Sequence, residues 1–186
     1  MSDQTYTAPD RVQALIAPIC IDLGLDLWGV ECHTAPGRTG VLRIYVDEPG
    51  GVSVERCAEL SRKIGLLLDV EDVMPGRYRL EVSSPGMERR FFEPGQLAGY
   101  VGETVLVRLQ IPRQGAKTFR GALDAVLDDG IFRIKAEQGT ETFAWNEIKS
   151  VNLVVDDPFH RERTSTSPNN DGDFADRSSA KRSEKP

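Results

Sequence analysis

An α+β chain is predicted: an N-terminal α/β domain of two helices on a three-stranded sheet, followed by a small β-barrel of the SH3-like or Sm-like kind. Two segments of the first half carry apolar residues at helical spacing, each beside strand-like alternation, and the second half holds five short alternating segments separated by turn residues. With 186 residues, 39% of them hydrophobic, the chain has enough apolar material for two small cores.

The first helix is expected over Arg11 to Leu23, where Val12, Leu15, Ile16, Ile19 and Leu23 recur at spacings of three and four. Pro18 lacks an amide donor and should bend this helix or delay its start. Leu25 to Glu31 and Val41 to Val46 read as strands of a hairpin, with Ala35 to Gly40 supplying the Pro and Gly of the turn. Ser53 is placed to cap a second helix, whose buried face would carry Cys57, Leu60, Ile64, Leu67 and Leu68. Tyr78 to Val82 is the third strand, Leu80 and Val82 alternating with Arg79 and Glu81.

Pro94, Gly95 and Gly99 interrupt the pattern between Phe91 and Tyr100, which places a domain boundary there. Beyond it, strands are expected at Thr104–Leu109, Thr118–Leu127, Ile131–Glu137, Glu141–Trp145 and Val151–Val155, with Asp128-Asp129-Gly130 as a tight turn. A single turn at Trp145 to Lys149 would break the last two strands. The expected barrel core is Val105, Val107, Leu123, Val126, Phe132, Ile134, Phe143, Ile148 and Leu153. The resulting organisation is a flexible start over 1–10, an α/β domain over 11–92, a barrel over 93–157 and a disordered tail over 158–186, where Ser, Asn, Asp and Arg leave too little to bury.

Three cysteines, Cys20, Cys32 and Cys57, in apolar contexts read as free core thiols. The opening residues are polar and no apolar run approaches the roughly 18 residues that cross a bilayer, so a cytoplasmic location without membrane contact is expected. A net charge of −6 argues against general coating of nucleic acid and leaves room for a basic partner. Only two histidines, His33 and His160, are available, and no Ser-His-Asp or Cys-His constellation, phosphate loop or zinc spacing is present. Neither catalysis, nor a cofactor, nor a metal is expected.

Two cationic features remain. In EVSSPGMERR, Glu81 to Arg90, the residues Glu81, Ser83, Ser84, Pro85 and Gly86 end a strand and turn the chain, and Arg89 and Arg90 follow. One reading is an interdomain elbow whose arginines pair with acids across the junction; the other is a recognition loop whose arginines reach phosphate. The second feature is the first barrel hairpin, where Arg108, Arg113, Lys117 and Arg120 flank Gln114-Gly115-Ala116. It reads either as a cationic loop for RNA phosphates or as a charged, solvated tip, with Arg113 and Lys117 expected to be exposed.

Three segments together resemble the RimP ribosome maturation factor family: Gly51 to Glu55 leading into Cys57 and Leu60-Ser61-Arg62, then Leu80 to Arg89, then Phe143 to Ile148. The resemblance extends roughly over Val12 to Val155. It implies two helices on a three-stranded sheet, a small barrel, no enzymatic reaction, and association of a monomer with the immature 30S ribosomal subunit, including ribosomal protein S12 and 16S rRNA. The candidate contacts are then Arg89, Arg90, Arg108, Arg113, Lys117 and Arg120. A free-standing Sm-like RNA regulator is the first rival, for which the barrel alone would suffice. A hydrolase using Ser83 or Ser84 is the second, weakened because the motif holds no base.

Overall fold

The computed structural model describes residues 8–34, 39–72 and 76–155. Helix α1, Ala8–Asp22, leads into strands β1, Asp26–His33, and β2, Gly40–Asp47, which pair antiparallel. Helix α2, Val54–Val70, then carries the chain back so that β3, Tyr78–Ser83, lies parallel to β2. The sheet order is β1-β2-β3. A parallel neighbour requires such a crossover, because a tight turn would return the strand in the opposite direction.

One face of this sheet is closed by both helices. Val12, Ile16 and Cys20 from α1, and Leu60, Ile64 and Leu68 from α2, share a core with Val30, Leu42, Ile44 and Val46. Cys57 and Leu67, also expected on the buried face of α2, are only half-buried. The Ser53 side chain accepts from the Arg56 amide at 3.3 Å, so the expected cap is present. α1 begins before Arg11 and runs through Pro18. Pro9 and Asp10 favour that earlier start, since a first-turn proline sacrifices no bond and an acid there is attracted to the positive end of the helix dipole.

The other face of the sheet is polar. Register aligns Glu31, Arg43 and Glu81 across the three strands, and Arg43 Nε donates to Glu81 at 2.6 Å while Arg79 also pairs with Glu81. Hydrogen bonding from Arg43 outweighs desolvation, holding the Glu81 carboxyl below its usual range.

The second sheet is six-stranded and antiparallel, in the order β4-β9-β5-β6-β7-β8. Its strands are β4, Arg90–Phe91; β5, Thr104–Arg113; β6, Ala116–Val126; β7, Ile131–Ala136; β8, Gly139–Ala144; and β9, Ile148–Leu153. The chain is therefore α+β, with two helices on a three-stranded sheet followed by a barrel-like sheet. β4 is additional to the five expected strands and comes from before residue 93; its pairing of Arg90 with Asn152 and Phe91 with Val151 is too short to leave a periodic signal. Pro94–Tyr100 forms a short 3-10 helix, and Trp145–Glu147 a single 3-10 turn where one was expected.

The second core contains Val105, Val107, Leu123, Phe132, Ile134, Phe143 and Ile148, joined by Phe91, Leu97, Leu109 and Val151. Val126 and Leu153, expected inside, pack at its margin. The Asp128–Gly130 turn uses positive φ at both Asp129 (61°) and Gly130 (71°), closing with the Leu127 amide donating to Ile131 at 2.7 Å. The tip of the first hairpin, residues 35–38, and the expected tail lie outside the described residues.

At Gly121, β6 approaches β7 too closely for any side chain. A Cβ there would stand 2.4 Å from the Lys135 carbonyl oxygen on β7, a backbone atom that cannot step aside alone. Gly121→Ala is accordingly expected to lower unfolding free energy by about 1–3 kcal/mol, measured by urea titration. A midpoint equal to the native one would contradict this close approach.

Candidate functional site

β2 and β3 are parallel and β1 is antiparallel to β2, so the ends of β2 and β3 and the start of β1 lie at one edge of the first sheet. The EVSSPGMERR segment leaves from that edge. Ser84 Oγ accepts from the Gly86 amide at 3.0 Å and the Ser83 hydroxyl donates to the Ser84 carbonyl at 3.1 Å. Gly86, at φ 74°, completes the reversal, and Arg89 Nε donates to its carbonyl at 3.0 Å. Met87 and Glu88 are exposed.

Both arginines then turn inward on partners at the junction. Arg89 Nη1 donates to Asp47 at 2.7 Å and to the Tyr100 hydroxyl at 2.9 Å, with its guanidinium 5.0 Å from the centre of the Trp28 ring. Arg90 donates to Glu31 and, at 3.2 Å, to the Lys149 carbonyl, and lies 5.3 Å from the Phe92 ring. Of the two readings of this motif, these contacts favour the elbow. Glu81 stands apart from it, in the ion pairs of the open sheet face.

Trp28 makes the join possible. Leu27 pairs with Val46 and Gly29 with Tyr45, so Trp28 is the extra residue of a β-bulge, released from the strand's alternation and aimed at the second core. Its indole donates to the Arg90 carbonyl at 2.7 Å, and its own carbonyl accepts from Gln96 Nε2 at 2.6 Å. Gln96 Oε1 meanwhile accepts from the amides of Phe92 (2.7 Å) and Glu93 (3.3 Å). Phe91 and Tyr100 pack on Trp28 with ring centres 6.0 and 6.3 Å away, and Phe92 packs on Tyr45 at 5.5 Å. Phe92 occupies the space of a side chain at Gly29, where a Cβ would meet its ring at 2.1 Å. Trp28, Gln96, Tyr100, Asp47 and Glu31 are absent from the sequence-based candidates. A glycine beside a tryptophan inside a strand is the signal that could have marked the bulge.

Glu31 is the electrostatic hub of this junction. It accepts from Arg90 and from Tyr45 Oη (3.2 Å), and His33 Nε2 stands 3.4 Å away. Desolvation raises its pKa, but the Arg90 charge together with hydrogen bonds from His33, Tyr45 and Arg90 outweighs that and leaves it lowered. Because the folded value lies below the unfolded one, the stabilisation is complete above about pH 4.3 and is lost as pH falls through the lowered folded value. Urea midpoints measured down through that window should fall in the native protein and fall less in Glu31→Gln; equal slopes would remove Glu31 from the acid response.

The four basic residues of the barrel hairpin part company. Gln114 and Gly115, at φ 50° and 83°, form a two-residue tip. Arg113 is half-buried instead of exposed: it folds back over Phe143, 5.0 Å from the ring centre, and donates to Glu147 (2.7 Å), the Thr142 carbonyl (3.0 Å) and Glu141 (3.4 Å). Two acids and an aromatic face within reach account for that correction. Arg108, Lys117 and Arg120 are exposed. Arg113→Ala should therefore lower stability by about 1–2 kcal/mol, whereas Lys117→Ala should leave thermal melting within experimental error. Equal melting of the two variants would show that the Arg113 contacts contribute nothing.

Among the described residues, no group of three or more His, Cys, Asp or Glu side chains is gathered to hold a metal ion, and no helix is long and apolar enough to cross a membrane. Burial pushes the Cys20 thiol up to about 11, and raises Cys32 and Cys57 as well.

Residues 15–88 match the family model described as the RimP N-terminal domain. The match runs from within α1 to the turn after β3 and so includes the Ser83 to Gly86 signature. A chain in a structure described as the structural basis of Dcp1:Dcp2 mRNA decapping complex activation by Edc3 and Scd6 is 15% identical, covering 48% of this chain and 91% of that one. Its TM-score of 0.29 is too low to support an argument. With its first sheet, both helices and the strand-to-turn signature in place, residues 15–88 form a domain of the RimP N-terminal kind, and that match supports the RimP family of ribosome maturation factors.

Proposed function

We propose that this protein is a non-catalytic maturation factor of the small ribosomal subunit. It acts in the cytoplasm as a monomer that binds the immature 30S particle transiently, with ribosomal protein S12 and 16S rRNA as its contacts. Beyond the family match over residues 15–88, the observation that carries this reading is the junction itself. Trp28, Gln96, Arg89 and Arg90 tie the first sheet to the second, the fixed presentation expected of a factor that recognises one assembly state by differential binding.

The overall charge of −6 suits a basic ribosomal protein, and such complementarity chiefly speeds encounter and excludes wrong partners. Of the cationic candidates, Arg108, Lys117 and Arg120 are placed to reach a partner. Arg89, Arg90 and Arg113 contribute from within, by fixing the junction and the hairpin.

Sedimentation of extracts from growing cells tests the reading. The protein should travel in part with small-subunit particles and shift to the free fraction as precursors are chased into mature subunits. A protein confined to the top of the gradient under both conditions would contradict it.

A further inference from the structure

Although the chain is acidic overall, three neighbouring strands of the second sheet carry only one acid among them. β5 and β9 contain no Asp or Glu, and the single acid of β6, Asp124, is neutralised by Arg133 at 3.0 Å and Lys135 at 2.6 Å from β7. Strand alternation decides what these strands show to solvent. Val105, Val107, Leu109, Val151 and Leu153 face the core, so Leu106, Arg108, Ser150 and Asn152 face outward.

Register then assembles the surface across strands. Ser150, Arg108 and Thr118 lie in one cross-strand row, and Asn152, Leu106 and Arg120 in the next. Arg108 and Arg120 are thus diagonal neighbours on adjacent strands, separated at the backbone by roughly 7–8 Å, and hydroxyl and amide side chains flank them. Each row offers one guanidinium and two or fewer neutral donors, the set used for phosphate and sugar contacts.

We propose that the outward face of β9, β5 and β6 tracks an RNA backbone, gripping phosphates through Arg108 and Arg120 without reading bases. The inference rests on the ribosomal reading above and names where and how RNA is met. Backbone contact without base readout follows from where the aromatic rings are. Phe91, Phe132 and Phe143 are buried, and Phe119, Tyr100 and Trp145 pack against the same core, so the outward rows present no ring on which a base could stack. The same rows fit an acidic protein poorly, because protein interfaces are anchored by buried aromatic or apolar groups and Leu106 alone is of that kind here.

Binding of the full-length protein to purified 30S precursor particles, measured across a series of salt concentrations, tests this. Arg108→Gln and Arg120→Gln should each weaken association severalfold and reduce the slope of log K against log salt by about 0.7–0.9, with melting unchanged in Arg108→Gln. Arg108→Lys and Arg120→Lys should restore most of the slope. Short RNAs of unlike base sequence should compete equally, and polyglutamate of matched charge should compete less well. Native-like affinity and slope in both Gln variants would overturn the proposal while leaving the ribosomal reading intact. A strong preference for one base sequence, or competition by polyglutamate equal to that by RNA, would overturn it as well. Failure of the native protein to bind precursor particles at any salt would instead overturn the ribosomal reading, and this inference with it.

Discussion

A tryptophan forced out of strand register organises this molecule. The bulge at Trp28 places a large amphipathic ring from the first sheet against Phe91 and Tyr100 of the second core, while its indole and its carbonyl are both satisfied by groups at the start of the C-terminal half. Each aromatic pair is worth about 0.5–1.5 kcal/mol beyond its buried area. The polar contacts add direction: Arg89 is held over that ring by Gly86, Asp47 and Tyr100. Without Trp28, Arg89 would keep its ion pair but lose the ring face it lies against.

The same junction consumes much of the charge around it. Glu31, Asp47, Glu141 and Glu147 are engaged by Arg90, Arg89 and Arg113. Acids and bases near the join and the hairpin tip therefore cancel locally. Charge that is left to act at a distance comes from elsewhere, from the acid-free strands of the second sheet and from the surplus acid spread over the rest of the chain.

Much of the fold is legible before any coordinates, because it is carried by long periodic patterns. The stripe Leu60, Ile64, Leu68 specifies the inner face of α2, Ser53 its start, and the alternation around Val105 and Phe132 the barrel strands. Features built from single residues are harder to read. β4 is a two-residue strand with no period of its own, and Trp28 looks like any strand aromatic until the pairing of Leu27 and Gly29 exposes the extra residue. The functional candidates follow the same rule. Sequence proximity groups Arg113 with Lys117, but Arg113 meets Glu141, Glu147 and Phe143 only through the folding of β8 and the turn after it. Arg108 and Arg120, grouped with them as flanks of the same hairpin, do lie on adjacent strands, and register makes them diagonal neighbours.

The turn through Ser84, Pro85 and Gly86 is the covalent bridge between the sheets, yet little of the join passes through it. Trp28, Asp47 and Glu31 lie before it in the chain and hold Arg89, Arg90 and Gln96, which lie after it. The bridge thus serves mainly to keep two complementary surfaces at high effective concentration, as a tether does for any paired modules. Peptide cleavage at Met87, an exposed position, would leave these contacts in place and turn a single chain into a two-piece complex held by an aromatic wedge and its surrounding ion pairs.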